Sequence, residues 1–452
     1  MRRFAITILL CLAAGCATPP SGPKSVESVS LVSEAPAWNP DQPLQLDQAI
    51  ELALQNDPRL KTMRAAVEVA RIASRAATTP ANPEFRGSYQ ENNGDDDLTG
   101  ASEDTEDVGG AIRFFPQRPW ETRAKRLAAD AAVQVAQAEL RGAECAVRFD
   151  VRRRFVELAG IDKDIEMLRR VVAARKARYE ALKAGSEQGE QTAVDVLGAG
   201  LDYSDALARQ GEAESSRRRA SRALAAMIGA GRTTDLRIEP AERKRAEQVS
   251  DFDPAYLEKF ALEHRMDVRA AEWRVREAWA AWKQASAARF PWFSYVQAGY
   301  GEEVAGDSAS WSASFGVELP IFADPDRGFQ VMAAELARVR AFEAEVRAGV
   351  TDDVLDALEL LKEVDEDLRR FEQDMAPLIE ELGLALKTAS EAQTLGVVAS
   401  AQIEVRLAQA ERARLQAENR REQALIELEA ALGAELPELA ETQGVVEALP
   451  AQ

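Results

Sequence analysis

Nine residues, Trp311–Leu319, alternate strictly between apolar side chains and small or polar ones. Trp311, Ala313, Phe315, Val317 and Leu319 fall on one face; Ser312, Ser314, Gly316 and Glu318 fall on the other. That is the period of a β-strand and the length of a tilted transmembrane one. The run closes Arg289–Phe322, in which Pro291–Gly301 carries Trp292, Phe293, Tyr295 and Tyr300 one acidic loop upstream. The surrounding chain is dominated by Ala, Leu, Glu and Arg, which favour helix. After the N-terminal leader no segment offers eighteen consecutive apolar residues. Any membrane crossing by the mature chain therefore falls to strands, because only helices and closed barrels satisfy their backbones in lipid.

An earlier stretch has the same character. Phe85, Gly87 and Tyr89 alternate with Arg86, Ser88 and Gln90. Residues 91–107 read as a polar loop rich in acids, and Val108, Gly110, Ile112 and Phe114 form a return strand before Pro116. Ahead of it, Asp47 is placed to cap a helix that Asp57-Pro58 interrupts and that resumes from Arg59. Behind it, Trp120 to Ala184 is one helical pattern with a seam at Val151, Leu158, Ile165, Val172 and Tyr179, accompanied by Ile161, Leu168 and Leu182. Such a helix is on the order of 100 Å long. A turn at Gly185–Gly189 leads to a return helix, Thr192 to Met227, stopped by Gly229. The second half follows the same plan: a helix from Pro254 broken near Arg265–Asp267, the opening hairpin, and a helix from Phe329 to Thr394. The seam of that last helix runs Val354, Ala357, Leu361, Val364, Leu368, Phe371, Met375, Leu378, Leu382 and Ala385, with Pro377 breaking its backbone bonding. A turn at Leu395-Gly396 and a helix to Leu432 complete the half. Pro83 and Pro291 lie 208 residues apart, Pro116 and Pro320 204, Gly189 and Gly396 207, Gly229 and Gly433 204. An ordered set of near-equal offsets indicates an internal duplication.

The first residues read as a leader. Arg2 and Arg3 precede a short apolar run, Phe4–Ala14, and Leu12-Ala13-Ala14-Gly15-Cys16 is similar to a bacterial lipobox. Cys16 is the expected lipidation site, with an ordinary signal peptide that happens to contain a Cys as the alternative. Ala17 follows it, so no Asp is there to retain the chain at the inner membrane. Residues 17–43 are rich in Pro and Ser and read as extended. With Cys11 removed and Cys16 acylated, Cys145 is the one remaining thiol and no intrachain disulfide is possible.

Lys and Arg number 56 against 76 Asp and Glu, a net charge of −20 with no basic patch that would neutralise phosphates, so nucleic acid is not an expected partner. The single histidine, His264, rules out a multi-histidine metal site or a histidine-based triad elsewhere. No enzymatic constellation is present, and no cofactor beyond the lipid on Cys16 is expected.

The layout resembles the TolC-type outer-membrane efflux protein family across nearly all of the mature chain. The motifs that carry the resemblance are Leu44-x-Leu46-x-x-Ala49-Ile50-x-x-Ala53-Leu54-x-x-Asp57-Pro58-x-Leu60, the hairpin-terminal Phe115-Pro116 and Leu319-Pro320-Ile321-Phe322, and the helix-tip Leu395-Gly396-Val397-Val398-Ala399. The resemblance implies a mixed α+β membrane protein. Long helical hairpins would build a periplasmic α-barrel, and four strands per protomer would build a trimeric twelve-stranded β-barrel. The expected division is a signal peptide over 1–15, a lipidated extended segment over 16–43, and a first efflux repeat over 44–229. That repeat has strands at about 84–91 and 107–115 and a helical tip at 185–192. A linker or equatorial segment over 230–253 precedes a second repeat over 254–433, with strands at about 292–301 and 311–319 and a tip at 394–398. A C-terminal tail covers 434–452. The implied role is a passive exit duct for small molecules or cations, lipid-anchored in the bacterial outer membrane and reaching into the periplasm. Its partners would be two further copies of itself, a periplasmic adaptor, an inner-membrane pump of the RND type and outer-membrane lipid.

Gly189, Leu395, Gly396 and Val397 are the expected adaptor-docking tips, and Trp311, Phe315, Val317 and Leu319 the expected lipid-facing residues. Where the family places a ring of carboxylates, this chain has Gln402 and Val405. The candidate constriction is therefore Asp195, Gln402 and Glu404, for which ordinary solvated helix surface is an equal reading. A type I protein-secretion duct of the same family and a periplasmic coiled-coil structural lipoprotein are the alternatives.

Overall fold

The computed structural model describes residues 42–95, 102–189, 191–230, 235–239, 253–287, 289–303, 309–318, 325–392 and 396–435. Cys16, Leu319, Leu395 and the leader lie outside the described residues. The chain order is α1 (Leu46–Asn56), α2 (Pro58–Ala76), β1 (Glu84–Asp95), β2 (Ser102–Phe114), α3 (Pro119–Glu187), α4 (Ala193–Met227), α5 (Pro254–His264), α6 (Met266–Ala287), β3 (Trp292–Glu303), β4 (Ala309–Glu318), α7 (Pro325–Asp374), α8 (Ala376–Glu391) and α9 (Val397–Leu432).

Local chemistry sets most of these bounds. Asp57 caps α2 by accepting from the Arg59 amide at 2.7 Å, with Pro58 at the first helical position, where its missing N–H costs nothing. The start of α1 differs from the expectation: Gln45 is its N-cap, without a side-chain bond, and Asp47 lies in the first turn, where the helix dipole favours an acid. Gly229 and Gly433 follow α4 and α9 with φ of 75° and 71°, a left-handed conformation that glycine adopts without steric cost. Pro377 separates α7 from α8. Met375 N still donates to Phe371 O (2.9 Å) and Ile379 N to Met375 O (3.0 Å), but the proline between them has no N–H to offer.

The helices pack around two apolar cores. Leu44, Leu60, Phe155, Leu158, Leu224 and Leu236 belong to one, and Leu257, Val268, Val354, Leu361, Leu425 and Leu428 to the other. Residues 235–239 are docked and not loose: Leu236 is fully buried, Leu44 N donates to Arg237 O at 2.7 Å, and Glu239 N to Leu44 O at 3.0 Å. The two halves are held together along α3 and α9. Arg152 meets Glu429 at 3.2 Å, Arg153 meets Glu427 at 2.9 Å, and Arg412 grips Asp164 with two bonds of 2.5 and 3.0 Å. The seam of α7 is fully buried at Val354 and Leu361. It becomes half-buried at Val364, Leu368 and Phe371, and Met375 and Leu378, at the break and in α8, are exposed.

All four strands form one antiparallel sheet in the order β1-β2-β3-β4, so the two hairpins pair with each other through β2 and β3. The first hairpin is longer than its hydrophobic pattern. The stretch expected as a loop over 91–107 is strand as far as Asp95 and again from Ser102, paired from Glu91↔Glu106 to Asp95↔Ser102. Backbone pairing continues past the last apolar side chain because the ladder bonds do not depend on which side chains flank them.

Candidate functional site: an amphipathic sheet and two helical tips

The registers align residues row by row across the sheet. One row is Gly87, Gly110, Tyr300 and Trp311. The next is Phe85, Ile112, Ala298 and Ala313. Below these lie Phe114, Val296 and Phe315, and then Phe293 with Val317. Every residue in these rows is apolar, aromatic or glycine; Tyr89, Val108 and Ala309 continue the face toward the loops, where Glu302 joins them. The face is open in the single chain: Trp311 is 84% exposed, Phe85 67% and Phe315 66%. Aromatic pairs knit the face, with Tyr300 and Trp311 centroids 5.0 Å apart and Phe293 and Phe315 5.9 Å apart, both edge-on.

The opposite face is polar. It carries Arg86, Ser88, Gln90, Gln297, Ser310, Ser312, Ser314 and Glu318. Arg113 on this face donates to Gln297 at 3.0 Å and lies 4.1 Å above the Tyr295 ring. Of the expected lipid-facing residues, Trp311, Phe315 and Val317 share the apolar face. Strict alternation misplaces one strand. Phe293 opposes Val317 while Tyr295 opposes Gly316, so Ser294 is an extra residue and the two aromatics point to opposite faces. Gly316 makes room for this bulge; a Cβ there would sit 2.5 Å from Ser294 Oγ and from the Tyr295 ring. At the helix end, Trp292 donates to Pro116 O at 2.9 Å and meets Trp120 edge-on at 4.9 Å.

The helical tips differ from each other. Between α3 and α4, Gly189 has a φ of 80°. Thr192 caps α4 in a capping box: Asp195 N donates to Thr192 Oγ1 at 3.2 Å and Thr192 N donates to Asp195 Oδ2 at 3.4 Å, while the Thr192 hydroxyl also donates to Asp195 Oδ2 at 2.6 Å. The Asp195 carboxylate is thus occupied by its own helix terminus. At the second tip, Gly396 is the N-cap of α9 with φ −68° and ψ 154°, and no side chain caps it. Val397 beside it is exposed. Gln402 and Glu404 are both exposed on α9 but stand two residues apart, and so on different faces of the helix. An apolar stripe at Val194, Leu197 and Leu201 leaves the first tip almost fully exposed, at 77%, 68% and 73%.

Reactive chemistry is sparse. His264 ends α5, stacked on Phe260 with its Nδ1 2.9 Å from Phe260 O. Burial pushes the Glu277 carboxyl up, with Glu139 adding to the rise and Arg274 opposing it. Among the described residues no group of His, Cys, Asp and Glu is placed to hold a metal, and no helix is long and apolar enough to cross a membrane.

Residues 49–230 match the outer membrane efflux protein family. Over this stretch the chain is similar to outer membrane efflux proteins. Its fold is that of solved outer-membrane channels. The outer-membrane channel OprN superposes with a TM-score of 0.68 at 18% identity, over 86% of this chain and 90% of that one. The Vibrio cholerae outer membrane protein VceC gives 0.67 at 19%, over 86% and 96%. The Campylobacter jejuni channel CmeC gives 0.68 at 13%, over 88% of both. No curated protein matches the chain.

Proposed function

We propose that three copies of this chain form an exit duct, with their sheets closed into one twelve-stranded β-barrel and their helices continuing as a periplasmic α-barrel. The observation that carries this reading is the sheet. One face is apolar in the four rows from Gly87–Trp311 to Phe293–Val317 and the other largely polar, yet among the described residues the outer edges of β1 and β4 have no partner strand. An open edge is not tolerated in lipid, and neighbouring copies supply the missing partners. The exposed stripe at Val194, Leu197 and Leu201 and the exposed Met375 and Leu378 are apolar surface for the same association.

The near-equal spacing of prolines and glycines supports descent of the two halves from one duplicated unit. Cys16 would be acylated after removal of residues 1–15, anchoring the duct in the outer membrane. The cargo is small molecules or cations delivered by an adaptor and an RND-type pump. Gel migration tests the duct: protein extracted from outer membranes in mild detergent runs as a trimer, and unheated samples run differently from boiled ones. A monomer with no heat-dependent shift overturns it.

The tips are the adaptor-docking elements in this reading, and their geometry separates two substitutions. Gly396→Asp places a good N-cap side chain on an unstrained backbone, so the fold is unharmed or gains roughly a few tenths of a kcal/mol. Gly189→Asp forces a side chain into a left-handed conformation, at about 1–2 kcal/mol. Both put a charge at a tip, and both are expected to weaken adaptor cross-linking while the trimer persists. Undiminished cross-linking in both variants refutes docking at these tips.

A further inference from the structure

Where α3 leaves the sheet and α6 returns to it, the helices border a groove of about 1020 Å³ lined by Trp120, Arg123, Trp279, Lys283 and Phe290. A second cavity of about 720 Å³ shares Leu127 and Trp279 with it and adds Arg75, Trp273 and Arg276. The chain carries a net charge of −20, and many of its described arginines are held by carboxylates. In this groove cations stand among aromatic side chains. Arg75, Arg123, Arg276 and Lys283 have no ion-pair partner among the described residues. Two of them lie on tryptophans instead, Lys283 Nζ 3.7 Å from the Trp279 ring centre and the Arg276 guanidinium 4.1 Å from that of Trp273. The one carboxylate in the lining, Asp130, is engaged by Ser74 at 2.8 Å and Arg126 at 3.8 Å.

The apolar lining is equally open, with Trp120 41%, Leu127 43% and Phe290 60% exposed. Exposed tryptophan beside unpaired cations, four residues or about 6 Å from the sheet-side end of each helix, fits a surface that is part hydrocarbon and part anion. We infer that this groove holds a phospholipid with an anionic headgroup, drawn from the leaflet of the outer membrane that faces the helices. The phosphate sits between Arg123 and Lys283, and the acyl chains lie over Trp279, Leu127 and Phe290. The inference rests on the duct reading above, which sets the sheet across the bilayer and this groove at its boundary. Acyl chains suit the exposed aromatics, which a water-filled bore would leave uncovered.

The test uses the full-length protein, delipidated in detergent and titrated with phosphatidylglycerol, phosphatidylethanolamine or inorganic phosphate, with retained lipid read by native mass spectrometry. The expected result is retention of phosphatidylglycerol over phosphatidylethanolamine by about tenfold or more, since each basic side chain near an anionic lipid contributes about 1 kcal/mol. That preference disappears in Arg123→Gln/Lys283→Gln. It persists in Arg340→Gln, which removes an exposed cation on α7 outside the groove. Equal retention of the two lipids overturns the proposal, as does equal loss in the control. Displacement by millimolar inorganic phosphate shows a site for free anion and overturns the lipid assignment. A disulfide formed between Lys283→Cys and a cysteine placed in a second copy shows the groove covered by protein, and also overturns it. Failure of the duct reading is separately visible, because no variant and no lipid would then yield a heat-modifiable trimer.

Discussion

Ala313→Arg is expected to abolish the membrane-inserted trimer, while Ser314→Arg, one residue on, leaves it intact. Ala313 lies opposite Ala298 in the row that also holds Phe85 and Ile112, at the centre of the apolar face. An arginine facing lipid at mid-depth costs about 2–4 kcal/mol per strand, and three copies in one barrel triple it. Ser314 points the other way, opposite Gln297. A guanidinium there stays in a polar lining that already accommodates Arg113. The readout is the unheated gel band together with outer-membrane fractionation. Equal tolerance of both substitutions would remove the bilayer from the account of this sheet. Equal intolerance would point to a crowded, solvent-free polar face instead.

The alternation that makes this contrast possible was legible in the residues. Trp311, Phe315 and Val317 fall on one face by period two alone, and the heptad positions Val151, Leu158 and Ile165 announce the long helix equally plainly. Other features were illegible for identifiable reasons. The Ser294 bulge leaves no hydrophobic signature, because the inserted residue is a small polar one flanked by aromatics on both sides. The extension of β1 to Asp95 was hidden because strand pairing is a backbone property and the sequence there is all acid, Asn and Gly. Asp195 looks like a pore-lining acid by position; that it caps its own helix emerges only with Thr192 at the N-cap. The groove at Arg123 and Lys283 joins residues 160 positions apart. No local pattern connects them until α3 and α6 are packed side by side.

Arg152→Ala is expected to cost about 3–5 kcal/mol, the characteristic loss when one partner of a buried ion pair is removed. Arg152 bridges Glu429 at 3.2 Å and Glu435 at 3.1 Å. The Glu429 side chain is 3% exposed, so it would lose the Arg152 guanidinium while remaining out of reach of water. The pair joins α3 of the first half to α9 of the second, and the loss should therefore lower the unfolding midpoint of the whole chain. The pair itself is imperfect. Arg152 Nε is buried without a hydrogen-bond partner, an uncompensated desolvation cost that an apolar side chain avoids. Arg152→Met/Glu429→Met should then recover most of the stability lost by Arg152→Ala, because the cost comes from stranding one charge and not from losing the attraction. Denaturant midpoints of the wild type, the alanine variant and the double methionine variant decide the matter. If the double variant is as unstable as the single one, the pair contributes net energy and its geometry is better than the unpaired Nε implies.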